Sequence, residues 1–285
     1  MNWIKSLGMY LLVCGSSVTA SEGGGSNYLP GFYGDFMMGV MPEQGAYFNN
    51  FFAAYQDPSG EVGTLLEMPS FVYATGKKIL GGNYIFGIYP AVGATKDHSN
   101  GNSLDRVGLG DFYLLPFALN WQWGNLSALF YEGVVAPTGY YQKGALNAGR
   151  NNWTFDHVLS LTKPLPADNE LSVTFGYMNN LQNPATRYES GDEFHFDYML
   201  GHYFQPDFGL GVAGSHYRQT TADHAPAELL VKTYSEASTI GPVLMYTPKV
   251  SGREITMSLK WLHEFNVQGR DAVDYLVWRL FMSFN

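Results

Sequence analysis

The chain has 285 residues, among them 33 Gly, 20 Tyr, 19 Phe and 6 Trp, and a formal net charge of -9 at pH 7. Tyr, Phe and Gly suit pleated strands and tight turns better than helices, so the composition points to an all-β protein. The acidic balance, with no run among the 16 Lys and Arg, excludes a nucleic-acid binder, which needs clustered cations to neutralise phosphates.

In chain order, residues 1–20 read as an export signal: Lys5 supplies the positive end, Leu7 to Val13 the apolar stretch, and Val18-Thr19-Ala20 the small residues before a cut at Ser21. The single cysteine, Cys14, falls inside this leader; a lipid anchor there would need a small residue before it, and Val13 stands in that place. No disulfide can therefore staple the exported chain. Residues 21–44 are glycine-rich, and Phe32, Tyr33, Phe36, Met37, Met38, Val40 and Met41 make them too apolar for a free periplasmic tail. They are expected to plug or line the domain formed by residues 45–285.

Beyond the leader no apolar run reaches the eighteen or so residues of a membrane helix; the best, Phe112 to Trp121, is interrupted by Pro116. Period-two alternation is plain instead. Phe194, Phe196, Tyr198 and Leu200 alternate with Glu193, His195, Asp197 and Met199. Ile255, Met257, Leu259 and Trp261 oppose Glu254, Thr256, Ser258, Lys260 and Glu264, and Leu276, Trp278 and Leu280 oppose Tyr275, Val277 and Arg279. The pattern predicts about twelve strands, at 45–56, 65–75, 81–94, 110–123, 125–137, 152–163, 169–179, 193–204, 207–218, 234–247, 252–264 and 270–284. Most exceed the usual globular strand and match what crosses a tilted bilayer.

The connections alternate between tight turns, at 76–78, 124, 166–168, 205–207 and 249–251, and longer polar ones, at 57–64, 95–109, 138–151, 180–192 and 219–233. A soluble β-sandwich gives no such order, whereas an outer-membrane barrel has short periplasmic turns, long extracellular loops, an even strand number and both termini inside. Aromatics crowd the strand ends as an interfacial girdle would: Trp121 and Trp123, Trp153 and Phe155, Tyr203 and Phe204, Trp261 and Phe265. The predicted fold is a transmembrane antiparallel up-and-down β-barrel in the bacterial outer membrane.

Several stretches resemble a known family: Tyr28-Leu29-Pro30-Gly31 through Gly34-Asp35-Phe36, Pro137-Thr138-Gly139-Tyr140, Asn147 to Phe155, Asn183 to Gly191, and Ile240-Gly241-Pro242. In order and spacing they look like the outer-membrane proteins named for the meta-cleavage pathway of phenol degradation. The resemblance implies a twelve-stranded channel, encoded beside catabolic genes, that passes small hydrophobic or aromatic molecules. Near its end the chain departs from that pattern: Val267 follows Asn266 where the family carries Asn-Arg, and Asn285 follows Phe284 where the family closes on an aromatic residue.

A barrel of this size encloses a narrow lumen that long side chains can constrict. The alternation assigns to it Asp156, Glu193, His195, Asp197, Glu254, Lys260, Glu264, Tyr275 and Arg279, an acidic surplus that would favour cations. With Tyr113 and Leu115 towards lipid, Phe112, Leu114 and Pro116 would form an oily lumen side, meeting either an apolar solute or, with Phe32, Phe36 and Met38, an internal plug. The expected function is passive diffusion of a small hydrophobic or aromatic solute, with no cofactor, metal or nucleic acid. The expected partners are lipid and the barrel assembly machinery, and the barrel is expected to be a monomer. The alternatives are a barrel enzyme, suggested by His195 and Asp197 on one face, and a structural or adhesive barrel working through its loops.

Overall fold

The computed structural model describes residues 22, 25–42, 44–98, 104–226, 229 and 234–284. The export signal expected over residues 1–20, Cys14 included, and the terminal Asn285 lie outside the described residues.

The alternating segments become one antiparallel sheet. Its strands are β1 (Gln44–Gln56), β2 (Val62–Ile79), β3 (Gly82–Tyr89), β4 (Val92–Asp97), β5 (Leu104–Leu109), β6 (Phe112–Trp123), β7 (Leu126–Ala136) and β8 (Thr154–Leu165), then β9 (Asn169–Asn180), β10 (Glu193–Gln205), β11 (Phe208–Gln219), β12 (Glu236–Tyr246), β13 (Lys249–Val250), β14 (Arg253–Gln268) and β15 (Asp274–Ser283). β1 pairs with both β2 and β15, which closes the sheet on itself. β4 continues β3, β6 continues β5, and β13 forms only a small hairpin with β14, so among the described residues the wall is a closed antiparallel barrel of 12 strands. Closure leaves no open edge, the condition for strands to sit in hydrocarbon, where no water can satisfy a backbone group. No helix among the described residues is long and apolar enough to cross a membrane.

The two faces separate by chemistry. Leu65, Phe71, Leu200, Val212 and Leu259 stand exposed on the outside, while Val158, Asp156, His195, Met199 and Lys260 are buried inside. The short turns share the rim where β1 begins and β15 ends, and they need left-handed backbone: Gly81 and Gly124 take φ of 78° and 59° there. Of the aromatics expected in the girdle, Trp123, Trp153, Phe204, Trp261 and Phe265 stand exposed. Tyr203 does not join them; it turns inward, and its hydroxyl donates to Glu170 Oε2 at 2.6 Å.

Proline reshapes the wall twice. Leu114 lies opposite Val134 and Phe117 opposite Glu132, so β6 advances three residues while β7 advances two, and the same mismatch appears against β3. This is a β-bulge at Leu115–Pro116, where a proline that cannot donate to the ladder is tolerated. The bulge inverts the facing of the strand. Ahead of it Tyr113 and Leu115 point inward, and beyond it Ala118 and Asn120 do. The oily lumen side expected from Phe112, Leu114 and Pro116 is thereby corrected: Phe112 and Leu114 alternate to the outside, and Pro116 is exposed, its carbonyl accepting from the hydroxyl of Tyr84. Elsewhere the ladder from β2 lapses between Glu67, opposite Val92, and Phe71, opposite Ile88. The register on either side sets Pro69 against Pro90, two residues with no N–H to offer.

Candidate functional site

Residues 25–42 run down the barrel interior and then turn back into β1. At the long-loop rim Ser26 Oγ donates to Glu193, and Asn27 Nδ2 donates to Thr154 Oγ1 at 2.7 Å. At mid-height Tyr28 and Tyr33 donate to Asp197 Oδ2 at 2.9 Å and Asp156 Oδ2 at 3.2 Å. Near the short-turn rim the Met37 amide donates to Glu170 Oε1 at 2.7 Å and the Gly39 amide to Thr162 Oγ1 at 2.8 Å, while Asn120 Nδ2 donates to the Gly39 carbonyl at 2.8 Å. A Cβ on Gly39 would fall 2.8 Å from the Thr162 amide nitrogen, so only glycine lets the segment lie this close to the wall. The wall thus supplies hydrogen-bonding partners along the height of an otherwise apolar segment, which meets the rule that buried polar groups must be paired.

Two charged clusters hold the segment. In the first, His195 Nε2 lies 3.0 Å from Asp156 Oδ1 and Nδ1 lies 3.5 Å from Asp197 Oδ2, all three side chains being fully enclosed. Both ring nitrogens therefore face carboxylates, and the Nε2 contact with Asp156 is the one with hydrogen-bond geometry. The Tyr28 ring stacks on the imidazole at 4.3 Å between centroids, with Tyr33 at 5.4 Å, and Tyr113 adds a hydrogen bond to Asp156 at 3.0 Å. Both tyrosine hydroxyls act as donors to the carboxylates. Across the strand pair a glycine makes the space for the imidazole: a Cβ on Gly176 would sit 1.9 Å from His195 Nε2. Gly176→Ala should displace the ring from Asp156 and cost about 1–3 kcal/mol, the range for overpacking a filled interior. A lower thermal transition of the heat-modifiable barrel band checks it.

In the second cluster, Lys260 Nζ donates to the carbonyls of Phe32 at 3.0 Å and Gly34 at 2.8 Å. Asp35 accepts from Ser258 Oγ and lies 3.9 Å from Arg279 Nη1. Arg279 Nε donates to Asn49 Oδ1 at 3.2 Å, and the guanidinium carbon stands 5.6 Å from the ring centres of both Phe51 and Phe281. Between this cluster and the wall lies a cavity of about 180 Å³ bounded by Tyr33, Met38 and Met41 of the threaded segment and by Phe51, Tyr89, Tyr113 and Phe281 of the barrel. Leu66, Met68 and Tyr89 on its border flank the stretch where Pro69 faces Pro90.

The family model described as "Putative MetA-pathway of phenol degradation" matches residues 43–280. The chain belongs to this family. Its fold is that of an outer membrane channel from Pseudomonas putida F1, to which it is 14% identical, with 90% of this chain and 100% of that one covered and a TM-score of 0.76. Weaker likenesses link it to the NanC porin (10% identity, 84% and 99% covered, TM-score 0.46) and to the CymD monoaromatic hydrocarbon channel (8% identity, 86% and 90% covered, TM-score 0.44). No curated protein sequence matches the chain.

Within the barrel the residues assigned to the lumen occupy different heights. Asp156, His195 and Asp197 meet in one cluster, and Glu193 above them accepts from Tyr217 at 2.9 Å. Glu264 pairs with Arg270 and accepts from Tyr275 at 2.9 Å and from the Val273 amide at 2.9 Å, tying the last long connection inward. Glu254 is corrected: it lies beyond the enclosed lumen, exposed at the β13–β14 hairpin, 3.4 Å from Lys249 Nζ. Phe32 packs on Phe51 at 4.2 Å between centroids, Met38 borders the cavity, and Phe36 fills the space over Gly201 and Gly209. Asp35, Asn49, Tyr113 and Glu170 also belong to the site, although sequence reasoning does not pick them out for it. Extending the alternation of β9 back by two residues from Ser172 reaches Glu170, whereas nothing local marks Asp35 or Asn49. Among the described residues no group of His, Asp or Glu is placed to hold a metal ion.

Proposed function

We propose that this barrel is a passive outer-membrane channel, working as a monomer, for small hydrophobic or aromatic molecules. The observation that carries the reading is the cavity of about 180 Å³ between threaded segment and wall, lined by Tyr, Phe and Met side chains inside a barrel whose outer face is apolar. The family's link with phenol degradation and the likeness in fold to an outer membrane channel support it. An enzyme built on His195 finds no support, because the imidazole and both of its aspartates are wholly enclosed and occupied in holding Tyr28 and Tyr33. Gram-negative cells carrying the protein in their outer membrane should take up toluene or phenol severalfold faster than cells lacking it while taking up disaccharides no faster. Equal rates for the aromatic solutes would overturn the proposal.

A further inference from the structure

The lumen cavity is apolar on most sides, but it is not chemically uniform: Arg279, Asp35 and Asn49 are among the polar residues that line it. The Arg279 side chain points inward from β15 and is about a quarter exposed, 24%, whereas the lumen cation Lys260 is 1% exposed and engaged by two carbonyls. Of the five N–H donors on the guanidinium, Nε is committed to Asn49, and the approach of Nη1 to Asp35 at 3.9 Å is too long for a hydrogen bond. Asp35 itself is already satisfied by Ser258 and by the amide of Phe36. The Nη groups of Arg279 thus make no hydrogen bond to Asp35, and they border the cavity.

We propose that the cavity binds a single-ring aromatic carboxylate, with the guanidinium of Arg279 taking the carboxylate and the rings of Phe51, Phe281 and Tyr33 taking the aromatic body. The inference rests on the reading of the barrel as a channel for aromatic molecules and names the class it selects. Size fits: an apolar protein cavity of about 150 Å³ is enough to hold benzene, and this one measures about 180 Å³. Chemistry fits as well, since the planar fork of an arginine matches the two oxygens of a carboxylate, and Asn49 fixes its rotation by holding Nε. Lodged between two phenyl faces, the guanidinium is already oriented before the solute arrives, which lowers the ordering cost of binding.

The test is titration of the purified full-length protein with benzoate and, separately, with benzyl alcohol, which keeps the ring and lacks the charge. Benzoate should bind the native protein at least tenfold more tightly than benzyl alcohol. Arg279→Met should abolish that preference and leave the affinity for benzyl alcohol within about twofold. Arg279→Lys should keep only part of the preference, because a point charge replaces the fork. If Arg279→Met does not assemble, Asn49→Leu, which leaves the charge but frees its orientation, should reduce benzoate binding alone. Benzoate binding equal to that of benzyl alcohol, or unmoved by these substitutions, overturns the inference while the channel reading stands; failure of both ligands to bind overturns the channel reading too.

Discussion

A chain lacking residues 25–41 should conduct ions in planar bilayers roughly tenfold or more above the full chain, since a barrel of this size encloses a through-passage once nothing fills it. In the intact protein that passage is interrupted along its height: Tyr28 and Tyr33 cover the Asp156–His195–Asp197 cluster, Phe36 fills the space over Gly201 and Gly209, and the backbone at Gly39 lies against Thr162. Three of the acidic side chains expected to favour cations, Asp156, Glu193 and Asp197, are engaged by the segment, so a preference for cations, read as a reversal potential in a salt gradient, should emerge in the shortened chain rather than in the intact one. As a control, cysteines placed by M38C and T174C, at side chains in contact in the structure, should cross-link under oxidising conditions and leave the conductance at the low level of the intact chain. Equal conductance of the intact and shortened chains would show that the segment does not occlude the lumen.

The second large effect is expected at Lys260. Its replacement by Met strips the carbonyls of Phe32 and Gly34 of a donor and removes a buried positive charge from the surroundings of Asp35, which keeps Arg279 at 3.9 Å. Leaving two buried carbonyls without their charged donor, beside a buried carboxylate that loses a neighbouring positive charge, costs about 3–5 kcal/mol. With a urea dependence of about 2 kcal/mol per molar, the unfolding midpoint of the lipid-refolded barrel should fall by roughly 2 M. Asp35→Asn in the same chain should restore part of the loss, since it removes the stranded charge, and a double-mutant cycle measures that coupling. A midpoint unmoved by Lys260→Met would show that the ammonium does not hold the segment.

How much of this is legible in the residues varies with the kind of information. Strand existence and length are, because lipid on one side and a partly polar lumen on the other impose alternation: β10 is expected at 193–204 and spans Glu193–Gln205. The order of tight and long connections is legible too, since the chain must cross and recross a slab of fixed thickness. Facing fails at one place. Pro116 is visible, but the extra residue that its bulge adds to β6 is not, so alternation sets Tyr113 towards lipid when it reaches Asp156. Height is also hidden. Alternation says which side Glu254 takes, not that it lies past the rim, where Lys249 is its neighbour. Long-range partnerships such as Ser258 with Asp35 and Arg279 with Asn49 arise only from closure and from the threading of the first segment, and no local pattern encodes them.

The path of that first segment has a mechanical consequence. Its covalent root is at the inner rim, where Pro42 leads towards β1, and its far portion reaches up to Glu193 and Thr154. Any partial withdrawal therefore pivots about the root like a lever. Displacement grows towards Ser26, so the outermost bonds rupture first while Gly39 hardly shifts, and the space beside Phe51 can be uncovered by degrees without the chain ever losing its mooring.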